Sequence, residues 1–173
     1  DAHTATYQGA PFVYGFERVG SGCGAVGPQA SVATDAFACW MGAGSFYIYD
    51  GFVKPLPSDV QDYVFSDINM AQIRKVAAWN NTAVNEVWWH YPSSESVECN
   101  RYVAWNYREN TWTIGAINRT CGDDNGVFGN PLMASPDGYI YRHEIGFQYD
   151  GAVPYAETGP IEMGDGEQVY MAR

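Results

Sequence analysis

The stretch that most constrains the fold lies between residues 75 and 115 and contains five of the six tryptophans of the chain. Four runs of strand length, rich in Val, Trp and Tyr, are separated there by turns of Asn, Pro and Ser. β-Branched and aromatic residues favour strands, and short polar turns join strands that are neighbours in a sheet. The stretch therefore predicts a four-stranded antiparallel meander, with strands over 75–79, 86–91, 101–107 and 111–116.

A meander of about forty residues is the size of one β-propeller blade, and a single blade does not stand alone. A first unit over 25–57, which opens with a predicted strand at 25–33, shows a similar order of short strands and turns. So does a third unit, with predicted strands over 127–134, 139–144 and 147–149 after a polar loop at 122–126. Tyr-Ile-Tyr at 47–49 recurs at 139–141, and Tyr-Asp-Gly at 49–51 recurs at 149–151. We therefore predict an all-β fold in which antiparallel meanders form about three β-propeller-like blades.

The chain divides into two predicted parts. Residues 1–24 are rich in glycine with a few aromatic residues, which predicts an extended N-terminal arm or loop. Residues 25–173 form the predicted β-propeller-like domain. Within it, apolar residues near helical spacing over 58–73 predict one short helical connection, either as one helix or as two short turns. Propellers typically need four to eight blades, so we expect an incomplete propeller or part of a longer chain.

The charge of the chain limits the partners that it can bind. The formal net charge is −11, with only nine Lys and Arg residues. Phosphate binding needs clustered basic residues, so sequence-specific binding of DNA or RNA is not expected. The acidity favours either simple solubility or a surface past which nucleic acid slides without sticking. The sequence also lacks a run of eighteen apolar residues, so we expect no membrane insertion.

The four cysteines are far apart and form no CxxC pair. An even number permits two disulfides, with three possible connectivities. The alternative is four reduced and mostly buried thiols in a protein that assembles in the cytoplasm, and we favour this second state.

The residue types needed for catalysis and metal binding are present, but without the spacing of known motifs. The three histidines form no HxH, HxxxH or HExxH motif. Glu86, Asp124 and Glu144 are candidates for a carboxylate pair in glycoside hydrolysis. Residues 123–125 and Asp165 are candidates for Ca²⁺ ligands, although they do not fill an EF-hand loop. We expect Asx-turn capping in that loop, and we expect no catalytic residues, no cofactor and no metal.

Aromatic side chains are the candidates for the structural core and for packing between blades. Trp88 and Trp89 are adjacent, and successive residues of a strand point to opposite faces. At most one of them is therefore expected in the core, and the other would lie on a face where it could stack on a sugar or a base. The predicted structural core consists of Trp40, Trp79, Trp88, Trp105, Trp112, Tyr47 and Tyr141.

Nine short motifs, in their order and spacing, resemble one family of phage proteins over about residues 20–166. The family is the packaged-DNA stabilisation, or head-completion and tail-hub ("nozzle"), proteins of short-tailed phages. The motifs are CWMG at 39–42, FYIYDG at 46–51, LPSDV at 56–60, VFSDIN at 64–69, EVWW at 86–89, YPS at 91–93, RYV at 101–103, WTIG at 112–115 and YRHEIG at 141–146.

The resemblance implies a structural virion protein without enzymatic activity. Such a protein assembles in the host cytoplasm and lies in the virion, in the tail or at the head–tail junction. It forms a homohexamer below the portal and adaptor proteins, and it lines or closes the DNA exit channel and stabilises the packaged DNA. Double-stranded DNA would pass it during ejection without sequence-specific binding. A negative channel wall would repel the phosphates and let the DNA slide.

Two alternatives stay open at this point. The first is a receptor- or glycan-binding β module, in a phage tail or in a secreted lectin-like protein, which would bind through exposed tryptophan. The second is a hydrolase on the same fold. For the virion protein, we expect contacts with neighbouring subunits at 58–72 or at 123–126, because connections between strands often carry interfaces.

Overall fold

The computed structural model describes residues 1–146 of the chain. These residues are mostly β, and their strands pair antiparallel in four sheets. The all-β prediction is therefore confirmed at this level. The predicted strand at 147–149, the second Tyr-Asp-Gly of the repeat and Asp165 lie outside the described residues.

The N-terminal arm is a two-stranded hairpin. Strand β1 (Ala2–Tyr7) pairs antiparallel with β2 (Tyr14–Gly20). The arm is extended, as the sequence predicted for 1–24, but the pairing of its two halves was not predicted. The signal was weak because glycine and isolated aromatic residues do not define a strand pattern. We call this element the N-terminal hairpin.

The first sheet is a four-stranded meander with its strands in chain order. It consists of β3 (Ser31–Ala33), β4 (Ala38–Met41), β5 (Phe46–Tyr49) and β6 (Val53–Leu56). These strands correspond to the first predicted unit. The strand predicted to begin at Ala25 is shorter in the structure and forms only from Ser31.

Two short helical segments connect the first sheet to the second. Helix α1 (Gln61–Asp67) buries Val64, and a 3₁₀ helix (Met70–Lys75) follows it. The side chain of Asn69 accepts a hydrogen bond from the backbone N–H of Ala71 and caps the 3₁₀ helix. Of the two alternatives for 58–73, the structure has two short segments and no single helix.

The second sheet is the meander predicted over residues 75–116. It consists of β7 (Ala77–Asn81), β8 (Glu86–Tyr91), β9 (Arg101–Asn106) and β10 (Thr111–Ala116), again in chain order. Each strand lies within two residues of its predicted bounds.

The two tight hairpin turns of the second sheet each contain an asparagine with positive φ. Asn85 has φ 62° and Asn110 has φ 54°, a left-handed conformation that asparagine tolerates better than most residues. Asn110 also accepts a hydrogen bond from Nε1 of Trp105 at 3.1 Å. The backbone conformation of Asn110 and its side-chain hydrogen bond therefore both stabilise the β9–β10 turn.

The third sheet has three described strands, β11 (Cys121–Asp123), β12 (Leu132–Ala134) and β13 (Ile140–Arg142). The sequence predicted strands over 127–134 and 139–144, which contain β12 and β13. It did not predict β11, which lies partly in the segment interpreted as a polar loop. Gly122 and Asp123 have low strand propensity, so tertiary packing must form this strand.

The three sheets follow one another with their first strands side by side. Strand β7 contacts both β3 and β11. A parallel bridge joins Gln29, just before β3, to Ala77 in β7. At the other end of β7, Oγ1 of Thr82 donates a hydrogen bond to Asp124, which follows β11. The three first strands therefore run in the same direction. The described residues do not form a closed ring.

The main core lies between the first and second sheets and is strongly aromatic. The ring of Phe46 lies 5.1 Å from Trp89 and 4.8 Å from Trp112, measured between centroids. Phe37 makes an edge contact with Trp105 at 5.6 Å. Trp89 is fully buried and donates from Nε1 to the backbone oxygen of Ala30 at 3.2 Å.

The other face of the first sheet carries the base of the N-terminal hairpin. Nε1 of Trp40 donates to the backbone oxygen of Cys23 at 2.6 Å, and Trp40 stacks on Tyr47 at 5.9 Å. A Cβ placed on Gly20 would lie about 3.1 Å from the side chain of Val53. The chain that leaves the hairpin is therefore packed on the side of the first sheet opposite the main core.

All four cysteines are free thiols, which agrees with the prediction. Burial raises the pKa of Cys39 to about 12, and burial together with the nearby Glu98 raises the pKa of Cys99 to about 12. A thiol reacts as its thiolate, so these two side chains are apolar packing groups at neutral pH.

We predict that Trp89→Ala lowers the free energy of unfolding by about 3–5 kcal/mol, because it leaves a large cavity in the main core. Phe52→Ala is the control, since Phe52 is 64% exposed, and it should change stability by less than about 1 kcal/mol. Chemical denaturation at neutral pH measures both. Equal stability of the two variants would contradict the placement of the core.

Candidate functional site

The second sheet has two faces of different chemistry. Val87, Trp89 and Tyr91 alternate along β8 on the face toward the first sheet and belong to the main core. Trp88 and His90 lie between them in sequence and therefore on the opposite face. On that face Trp88 stacks on Tyr102 at 4.4 Å. This second face is turned toward the third sheet and carries a group of polar and titratable side chains.

Trp79 is at the centre of the contact between the second and third sheets. Its side chain is buried, and its ring lies 5.7 Å from that of Trp88. A Cβ placed on Gly122 would lie 2.5 Å from the indole of Trp79. The lack of a side chain at Gly122 is therefore what lets β11 approach the second sheet so closely.

His90 is fully buried beside this tryptophan. Its Nε2 accepts a hydrogen bond from Nε1 of Trp79 at 3.0 Å. Burial, together with the nearby His143 and Arg119, lowers the pKa of His90 from 6.5 to about 3. The imidazole is therefore neutral at physiological pH and carries its proton on Nδ1, for which the described residues provide no acceptor.

Arg119 brings a buried positive charge to the same contact and is only 4% exposed. Its Nε donates to Nε2 of His143 at 2.9 Å, and Nη1 donates to the backbone oxygen of Asn118 at 2.8 Å. The guanidinium lies 4.1 Å from the ring centroid of Tyr141. A buried charge is costly without hydrogen bonds, and these contacts supply them together with a cation–π interaction.

The three carboxylates considered for glycoside hydrolysis meet around the end of β7. Glu86 accepts from Nε1 of Trp88 at 2.9 Å and lies opposite Asn81 in the sheet. Asn81 donates from Nδ2 to Glu144 at 2.7 Å. The third, Asp124, accepts from Thr82, the residue that follows β7. The three carboxylates therefore lie around the end of β7, and each accepts a hydrogen bond from a side chain of the second sheet or its first turn.

The loop considered for Ca²⁺ is folded on itself. Asp123 accepts from the backbone N–H of Asp124 at 3.0 Å, and Asp124 accepts from that of Asn125 at 2.7 Å. Both hydrogen bonds reach only the next residue, one position short of the Asx-turn bond expected for this loop. Over residues 1–146, no group of three or more His, Cys, Asp or Glu is arranged to hold a metal ion.

The residues predicted as structural core divide into two groups. Trp40, Trp79 and Trp105 are buried. The other four are half-buried: Trp88, Trp112, Tyr47 and Tyr141. Trp89 was not among them, although it is the largest fully buried side chain. The alternation Val87-Trp89-Tyr91, which contrasts with Glu86-Trp88-His90, is the signal that identifies it.

No helix among residues 1–146 is long and apolar enough to cross a membrane. Neither a known protein family nor a curated protein matches this chain.

We predict that His90 makes the protein sensitive to acid. The pKa of His90 is lower in the folded than in the unfolded state, so the unfolded state binds the extra proton, and stability falls as the pH decreases from about 6.5 to about 3. From pH 7.5 to pH 5, this histidine alone should cost about 2 kcal/mol.

The measurement is chemical denaturation at both pH values for the wild type, His90→Gln and His3→Gln. The loss of stability on acidification should be about 2 kcal/mol smaller in His90→Gln. His3 is exposed, so its variant should behave as the wild type does. The same pH-dependent loss in all three proteins would refute the assignment.

Proposed function

We propose that this protein is a structural virion component of a short-tailed phage. It would act as a tail-hub or head-completion protein that lines or closes the DNA exit channel and stabilises the packaged DNA. The observation that carries the proposal is the arrangement of the sheets, in which the first strands of three successive meanders lie side by side and run in the same direction. Consecutive blades of a β-propeller are related in this way, and a propeller is the fold that the resemblance implies.

Charge on the exposed turns supports the same role. Asp35, Glu109 and Asp137 lie in exposed turns between strands, whereas the exposed Asp50 is ion-paired with Lys54 at 2.6 Å. With the net charge of −11, such turns would present a negative wall to DNA in a channel. Repulsion within about one Debye length, about 10 Å at 0.1 M salt, keeps the phosphates from binding.

The polar groups between the second and third sheets favour a mechanical role over a catalytic one. Asp124 and Glu144, which follow strands of the third sheet, each accept a hydrogen bond from the second sheet or its first turn, and Glu86 accepts one from Trp88 within its own strand. Trp88, one of the two adjacent tryptophans considered as a stacking platform, has its ring stacked on Tyr102. The residues that the hydrolase and the glycan-binding alternatives would use are therefore engaged in holding the domain together.

We predict that the native protein assembles as a six-fold ring, alone or with the portal and adaptor proteins of the virion. Native mass spectrometry should find a species six times the mass of the 19.1 kDa chain, and electron microscopy should show a central channel. Particles made without the protein should package DNA and then lose it. A monomer at every concentration, together with virions that retain their DNA without it, would overturn the proposal.

A further inference from the structure

The N-terminal hairpin exposes an unusual amount of apolar surface. Five of its large apolar side chains are 57–75% exposed: Tyr7, Phe12, Val13, Tyr14 and Phe16. A two-stranded hairpin is marginally stable by itself in water, and only the base of this one is packed on the first sheet. We call these five residues the hairpin patch.

A second apolar surface lies on the third sheet. Met133 and Tyr141 are paired residues that share the face with Gly122, toward the second sheet, so Ile140 points to the outer face. Nη2 of Arg142 donates to the backbone oxygen of Phe128 at 3.0 Å and brings that loop to the end of β13. The third-sheet patch consists of Val127, Phe128, Ile140 and Ile145, which are 56–98% exposed.

The two patches lie at opposite ends of the stack of sheets. The hairpin leaves from the outer side of the first sheet, where Trp40 contacts Cys23, and Ile140 lies on the outer side of the third. Packed sheets are about 10 Å apart, so about 20 Å of protein separates the two sides. A molecule with a different apolar surface at each end can form heterologous contacts, in which one end of each copy binds the other end of the next copy.

The sizes of the patches fit such a contact. A fully buried aromatic side chain removes about 150–250 Å² from water, so the hairpin patch at its observed exposure offers on the order of 500 Å². Burial of both patches would remove about 1,000 Å² in total, which is the lower limit for a specific protein interface. A weak single contact of this kind is stabilised when several close a ring.

We propose that the hairpin patch of one copy binds the third-sheet patch of a second copy in a head-to-tail contact. The contact rests on the proposed ring assembly and specifies the surfaces that form it. The hairpin gains the tertiary support that its own chain does not give it, and the exposed face of the third sheet is covered.

The test uses three variants of the full chain. Tyr14→Ser with Phe16→Ser damages the hairpin patch, and Phe128→Ser with Ile140→Ser damages the third-sheet patch. Val97→Ser is the control, because Val97 is 64% exposed in the loop between β8 and β9. Sedimentation velocity over a range of concentrations measures self-association. Each double variant should raise the Kd by about a hundredfold, and Val97→Ser should assemble as the wild type does.

Mixing the two double variants gives the decisive result. The hairpin variant keeps an intact third-sheet patch, and the third-sheet variant keeps an intact hairpin, so the mixture should form dimers with one copy of each. The absence of a heterodimer, or normal assembly of the third-sheet variant, would overturn the contact. Either result would indicate that hairpins pair with each other or that residues 147–173 cover the third sheet. Six-fold assembly of both variants would overturn the contact and leave the proposed function standing, whereas a monomeric wild type would overturn both.

Discussion

The alternation of side chains along β8 is the constraint on which the rest of the structure depends. Val87, Trp89 and Tyr91 point to the first sheet and form the aromatic core, and Trp88 and His90 point to the third sheet. A shift of one residue in register would exchange these two sets and place His90 in the apolar core. The second sheet is thus covered on both faces, one apolar and one polar, and it holds its two neighbours in place.

The second sheet was predicted most accurately, because strand propensity and turn residues are both local signals in the sequence. Val, Trp and Tyr favour strands, and turns such as the one at Asn85 end them. The N-terminal hairpin and β11 were predicted less well, since glycine and aspartate carry no strand signal. Strand β11 forms because Gly122 fits against Trp79, a contact between residues 43 positions apart that no local pattern encodes.

The sequence identified several residues of the candidate site but not the side chains that they contact. Glu86, Asp124 and Glu144 were singled out together, and the structure places them around the end of one strand. Arg119 and His90 were not singled out, because a buried arginine beside two histidines depends on three separate segments of the chain. The expectation of subunit contacts at 58–72 or 123–126 stays a prediction. Large apolar side chains are exposed at Tyr63 and Met70 in the first of these ranges, as well as in the N-terminal hairpin and the third sheet.

Native-state hydrogen exchange on the full chain tests most directly the claim that the second sheet is the doubly covered centre of the molecule. Amide groups of central strands in a covered sheet open only with global unfolding, whereas those of an exposed hairpin open locally. We expect β8 and β9 to exchange most slowly, β12 faster, and the N-terminal hairpin of the isolated chain fastest. Exchange of β8 and β9 as fast as that of the hairpin would contradict this account.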